Sequence, residues 1–140
     1  RTNKKTIINL TNHGFFSLAG IGNPTPTIDD LECEINADFY IPIDDTSIPT
    51  GEIRFVKDTP FDFRTPKPVG KDIDADDSQI KNGAGYDKGQ HGATFPRRSA
   101  ICFEAQHFPD SPNRPYFPST VLESGEQYKQ KTIYKFGVKK

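Results

Sequence analysis

The stretch "SAICFEAQHFPDSPNRPYFPS", from Ser99 to Ser119, decides the fold prediction because it joins a β-rich run to a loop that cannot be helical. In its first part, "ICFEAQ", apolar residues alternate with Cys102, Glu104 and Gln106, and strict alternation is typical of a strand. Its second part carries four prolines, each of which lacks the backbone N–H that a helix needs. We therefore predict a strand that ends in a stiff, irregular loop.

The same pattern of strand and turn recurs along the chain. The other β-rich runs are "KKTIINLTNHGFF", "LECEINADFYIPI", "GEIRFV" and "KTIYKFGV". The chain has 11 glycines and 12 prolines, and helices of ordinary length would not tolerate breakers at this spacing. We therefore predict an all-β fold, an antiparallel β-sandwich, with residues 1–140 forming a single domain.

Composition limits the classes of partner. The 140 residues include 18 basic and 19 acidic side chains, and this near neutrality argues against nucleic-acid binding or a polybasic membrane anchor. No apolar run approaches the roughly 18 residues that a membrane span needs. We expect a soluble protein, cytoplasmic or periplasmic, with a neutral partner, and the sequence leaves the compartment open.

Cysteine and metal chemistry receive little support from the sequence. Cys33 and Cys102 lie in strand-like segments, where we expect reduced, buried thiols that behave as small hydrophobic side chains. The acidic run "DIDADD", Asp72 to Asp77, lacks the glycine and glutamate positions of a calcium loop and predicts a solvated turn. No metal site is predicted, because close zinc-type spacing is lacking among the three histidines, His13, His91 and His107.

Two runs carry candidate chemistry. Alternation in "TIINLTNHGFF" places His13 on one face with Asn9, and alternation in "ICFEAQ" places Glu104 on one face with Cys102 and Gln106. Each has an ordinary explanation, since strand histidines are often structural and strand glutamates usually face water. Nearby aromatics and prolines favour a sugar site, because pyranose faces stack on rings and sugar hydroxyls need directed polar partners.

The segment "INLTNHGFFSLAG" (Ile8 to Gly20) resembles the "LTNH-x-x-F-x-L" signature of the aldose 1-epimerase, or galactose mutarotase, family. Five further segments match the family in order: "PTGEI" (49–53), "TPFDFR" (59–64), "GYD" (85–87), "FEAQHFPDSPNRPYFPS" (103–119) and "LESGEQYKQKTIYKF" (122–136). The resemblance covers nearly the whole chain, but only the second half of the family's usual length. It implies part of a galactose mutarotase-like supersandwich.

The resemblance also implies an activity and a site. The family interconverts the α and β anomers of free hexoses such as galactose or glucose and needs no cofactor. Its general acid, which protonates the ring oxygen, corresponds to His13, and its general base, which acts on the anomeric hydroxyl, corresponds to Glu104. Its sugar-binding aspartate corresponds to Asp87, and we assign Asn12 and Gln106, from the same motifs as the acid and base, to sugar binding.

The chain departs from the family in two places. After Asp87 the sequence continues with "KGQHGATFPRR" (Lys88 to Arg98), which resembles the far side of several strands that the family has there. We therefore expect a junction near 87–90 with a stretch missing. The family's first half, with a sugar-contacting arginine and a second histidine, is not in this sequence. We expect such a chain to self-associate or to pair with the missing half, and to anomerise sugar poorly alone, because it exposes unpaired sheet edges.

Two alternative functions remain open at this point. One is a hexose-phosphate 1-epimerase in which Arg97 and Arg98 bind the phosphate. Adjacent strand residues point to opposite faces, which argues against a shared grip. The other is a non-catalytic carbohydrate-binding β-sandwich fragment that lacks a complete site.

Overall fold

The computed structural model describes residues 1–18, 20, 23, 27–81 and 97–137. Within these residues the regular structure consists of short strands, one helical turn and two 3₁₀ turns. The strands are β1 (Thr6–Ile7), β2 (Phe15–Phe16), β3 (Glu32–Cys33), β4 (Phe39–Tyr40), β5 (Arg54–Phe55), β6 (Lys67–Pro68), β7 (Ile101–Cys102) and β8 (Val121–Leu122). The helix α1 is Ser78–Lys81, and the 3₁₀ turns are Val69–Lys71 and Ser111–Asn113. No helix in the described ranges has the length and apolar character that a membrane span requires.

Among the residues that the structure describes, all the strand pairs are antiparallel, and they are nested in sequence. β1 pairs with β8, β2 with β7, β3 with β6, and β4 with β5. The innermost pair is joined by residues 41–53, and each outer pair joins segments that are increasingly distant along the chain. The β2–β7 pair joins residues of the two runs that carry the candidate chemistry, "TIINLTNHGFF" and "ICFEAQ".

The chain forms two compact units. The first, called unit 1, comprises Arg1–Asn12 and Glu104–Lys140, and the second, called unit 2, comprises His13–Phe103. Unit 1 therefore contains β1, β8 and the 3₁₀ turn Ser111–Asn113, and unit 2 contains the remaining elements. That residues 1–140 form a single domain stays a prediction.

Each unit has a small core of its own. In unit 2 the buried apolar side chains include Pro42, Ile28, Cys33 and Val56, of which Val56 is 3% exposed. In unit 1 the core centres on Phe117, 5% exposed, whose ring meets Phe108 edge-on at 5.2 Å between centroids. Aromatic side chains from the proline-rich loop thus supply apolar contacts in unit 1, and they stabilise the loop that follows Glu104.

The predicted strands are longer than the observed ones. "TIINLTNHGFF" was expected to form one strand, but β1 ends at Ile7 and β2 begins at Phe15. "KTIYKFGV" was also expected to be a strand, and the structure assigns none to residues 131–137, where Ile133 and Phe136 are 73% and 69% exposed. These two extents were wrong, because residue pattern reports strand preference whereas a strand also needs a ladder from a neighbouring segment.

Gly70 lies where the backbone of unit 2 approaches the backbone of Asp29 closely. Its amide donates to the Asp29 carbonyl at 2.9 Å, and an added Cβ would stand 2.6 Å from Asp29 Cβ and 2.9 Å from Asp29 Cα. We expect Gly70→Ala to lower the free energy of unfolding by about 1–3 kcal/mol, since the backbone must shift to make room. The matched control is Gly137→Ala, where an added Cβ meets nothing within 4 Å. Thermal unfolding followed by circular dichroism measures the difference, and equal midpoints for the two variants would contradict the prediction.

Candidate active site

His13 lies two residues before β2, and the β2–β7 pair determines its surroundings. Its Nδ1 atom is 3.6 Å from the sulfur of Cys102, and its ring centroid is 5.0 Å from that of Phe15, tilted by 52°. Phe15 and Cys102 are register partners across the two strands. The antiparallel pairing therefore presents a thiol and a phenyl ring to one imidazole, and both contacts lie within unit 2.

Glu104 begins the second segment of unit 1, two residues after the last residue of β7. Its side chain is exposed, as is that of Gln106, so the carboxylate needs no buried partner to offset desolvation. Between them, the Ala105 carbonyl accepts a hydrogen bond from the side-chain amide of Gln130. This contact fixes the backbone between the two predicted site residues of unit 1.

An amide side chain ties together the two segments of unit 1 that carry predicted site residues. Asn9 Nδ2 donates to the His107 carbonyl at 3.0 Å, and the His107 amide donates to Asn9 Oδ1 at 2.9 Å. The Asn9 side chain thereby hydrogen-bonds both the carbonyl and the amide of His107, as a residue on a neighbouring strand of a sheet would. The segment that leads to Asn12 is thus held beside the segment that follows Glu104.

Unit 1 also contains an open cleft of about 890 Å³, lined by residues 10–12 and 128–132. The Tyr128 hydroxyl accepts a hydrogen bond from the Leu10 amide at 3.4 Å and donates to the Gln130 side chain. Asn12 lines this cleft, whereas Glu104 and Gln106 do not. The volume lies within the range of small-molecule sites, so the cleft offers space for a sugar beside one predicted binding residue.

The third predicted sugar-binding residue, Asp87, lies in a part of the chain that the structure does not describe. The junction near 87–90 and His91 also lie outside the described residues. The role of Asp87 therefore stays a prediction.

Arg98 forms ion pairs with two carboxylates of unit 2. Its guanidinium pairs with Asp74 and also lies 3.5 Å, Nη1 to Oδ2, from Asp29. The hydrogen bond from Arg98 lowers the pKa of the Asp74 carboxyl below its usual value. Arg97 beside it is exposed. An arginine paired with two carboxylates has little net positive charge left for an anion, which argues against the hexose-phosphate alternative.

The acidic run from Asp72 to Asp77 forms ion pairs rather than an isolated cluster. Alternate carboxylates of the run meet cations from elsewhere in unit 2: Asp72 with Lys67 at 2.7 Å, Asp74 with Arg98, and Asp76 with Lys81. Three of the four carboxylates in the run therefore pair with cations, which agrees with the predicted acidic turn.

Sequence reasoning missed three residues near the predicted site. Both cysteines were expected to be buried; Cys33 is, and burial raises the pKa of its thiol, but Cys102 is only partly buried and contacts His13. The available signal was the alternation that placed Cys102 on the face of Glu104. Tyr128 and Gln130 were quoted within a family segment without a role, and their contacts become visible only in the fold.

Comparisons with known proteins identify the class. The family model described as aldose 1-epimerase matches residues 1–88 and 74–135 of this chain. The chain therefore belongs to the aldose 1-epimerase family. This confirms the resemblance found in the motifs.

Particular relatives are the galactose mutarotases of Pongo abelii, 34% identical, and Homo sapiens, 33% identical. Each alignment covers 99% of this chain and 52% of the relative, so the chain spans about half the length of the curated relatives it matches. A solved structure of a GalM/aldose epimerase homologue from C. elegans matches at a TM-score of 0.72 and 27% identity, covering 89% of this chain and 49% of that chain.

These matches confirm the predicted fold class, an all-β antiparallel β-sandwich of the aldose epimerase type. The alignments with the mutarotases also run over 180 positions although this chain has 140 residues, so at least 40 aligned positions have no counterpart here. That difference agrees with an internal stretch being missing relative to the family. The position of the junction stays a prediction.

Proposed function

We propose that this chain carries the acid–base pair of an aldose 1-epimerase and interconverts the α and β anomers of free hexoses such as galactose or glucose. The observation that carries the proposal is the β2–β7 pairing, which sets His13 of the "LTNH" motif against Cys102, two residues before Glu104 in the chain. Family membership and the galactose mutarotase relatives support the reaction class.

The proposed reaction needs two proton transfers. The Glu104 carboxylate removes the proton of the hydroxyl on carbon 1, while protonated His13 donates a proton to the ring oxygen. The bond between carbon 1 and the ring oxygen breaks, and the open-chain aldehyde rotates about the bond between carbon 1 and carbon 2. The ring then closes on the opposite face with the roles of the two side chains reversed. Protons balance over the cycle, so the chemistry requires no cofactor.

Other groups have binding roles in this proposal. Asn12, Asp87 and Gln106 would hydrogen-bond the sugar hydroxyls, because amides and carboxylates provide directed donors and acceptors. Phe15, whose ring already packs beside His13, would present an apolar surface to a pyranose face. The monosaccharide is thus the proposed partner. Self-association, or pairing with a chain that carries the family's first half, stays a prediction.

The phosphorylated substrate is the less favoured alternative. Arg98 pairs with Asp74 and Asp29, so it does not offer the surplus positive charge that binding a phosphate group requires. This pairing supports a free hexose rather than a hexose phosphate as the substrate. A free hexose needs no such cation.

We expect the chain to accelerate mutarotation of α-D-galactose or α-D-glucose above the spontaneous rate in the same buffer, with less acceleration for α-D-glucose 6-phosphate. Polarimetry measures all three rates, and NMR titration with each sugar measures binding independently. A preference for the phosphorylated sugar would favour the hexose-phosphate alternative. Sugar binding without any acceleration would overturn the proposed catalysis and identify a carbohydrate-binding fragment.

A further inference from the structure

We propose that Cys102 is a positioning residue that holds the His13 imidazole in the orientation and tautomer that proton exchange with the sugar requires. The proposal rests on the proposed function of His13. It extends that function to a side chain whose sequence pattern indicated only a buried hydrophobic role.

The geometry restricts the imidazole from two sides. The sulfur of Cys102 lies 3.6 Å from Nδ1, within the distance of a sulfur hydrogen bond, and the Phe15 ring lies 5.0 Å from the imidazole centroid. Both neighbours come from the β2–β7 pair, in which Phe15 and Cys102 oppose each other. Turning the imidazole about its side-chain bonds would disrupt both contacts, so the paired strands favour one rotamer.

The chemistry assigns a direction to the hydrogen bond. A histidine that donates and then recovers a proton through Nε2 must keep its other proton on Nδ1 throughout the cycle. We therefore infer that Nδ1–H donates to the sulfur of Cys102, which acts as a weak acceptor. The neutral ring then keeps Nε2 as the nitrogen that exchanges a proton with the ring oxygen. Cys102 itself undergoes no covalent or redox change.

The test uses Cys102→Ala and Cys102→Ser in the full chain. Alanine removes the acceptor, so we expect kcat for galactose mutarotation to fall about tenfold with little change in KM, because the proton donor is misplaced rather than lost. Serine supplies a hydroxyl oxygen as acceptor and is expected to restore most of the rate. Cys33→Ala removes the other thiol, which is buried on β3, and is the matched control expected to leave the rate unchanged.

A second measurement does not depend on catalysis. Nitrogen-15 NMR of the histidine rings, with the His13 signals assigned by their loss in His13→Gln, reports which ring nitrogen carries the proton. We expect the Nδ1–H form to dominate for His13 in the unsubstituted chain and in Cys33→Ala, and to lose population in Cys102→Ala. Unchanged His13 signals in Cys102→Ala would overturn the proposal. If no variant catalyses mutarotation, the proposed function fails, and the nitrogen signals still decide whether Cys102 positions the ring.

Discussion

Replacing His13 by glutamine is expected to lower kcat for galactose mutarotation by about 10²–10⁴-fold, the usual contribution of a general acid or base. Glutamine keeps a similar size and can still form hydrogen bonds, but it cannot transfer a proton at neutral pH. Because His13 is exposed, the free energy of unfolding should change by less than about 0.5 kcal/mol. Polarimetry gives the rate, and chemical denaturation gives the stability of the same variant.

His107→Gln is the matched control for this change. His107 is also an exposed histidine, and its contacts with Asn9 involve backbone atoms rather than the ring. The substitution should therefore preserve those contacts and leave the rate close to that of the unsubstituted chain. Equal losses of rate in the two variants would show that His13 has no special part in the proton transfers.

Replacing Glu104 by glutamine is the second change with a large expected effect, again about 10²–10⁴-fold on kcat. The amide cannot accept the proton of the anomeric hydroxyl, although it can still hydrogen-bond the sugar, so KM should change much less than kcat. Glu34→Gln, which neutralises an exposed carboxylate near β3, is the control for loss of one negative charge. Full activity in Glu104→Gln would assign the base to another residue.

The double variant sharpens the test of the two proposed roles. If His13 and Glu104 act in the same step, His13→Gln together with Glu104→Gln should cost about as much as the more severe single change, because removing either group already disables the transfer. Effects that multiply would instead indicate two independent contributions. Both single rates and the double rate come from the same polarimetric assay.

The class of this protein could be predicted from short-range information. Alternation in "ICFEAQ" and the four prolines that follow it depend on a few neighbouring residues, since side-chain direction in a strand and the geometry of proline are local properties. The motifs containing His13 and Glu104 are likewise contiguous segments, and they were sufficient to indicate the family that the comparisons confirm. The all-β class and the candidate acid and base therefore followed from the sequence by itself.

Tertiary structure alone decided which side chains meet. His13 and Cys102 are 89 positions apart, and Asn9 and His107 are 98 positions apart, so no pattern of neighbouring residues in the sequence predicts either contact. The same holds for Arg98, whose pairing with Asp74 weakens the hexose-phosphate alternative. Strand ends were misjudged for the same physical reason. Hydrogen-bond ladders, ion pairs and ring contacts join distant segments, and their geometry is set by how the whole chain folds rather than by the residues on either side.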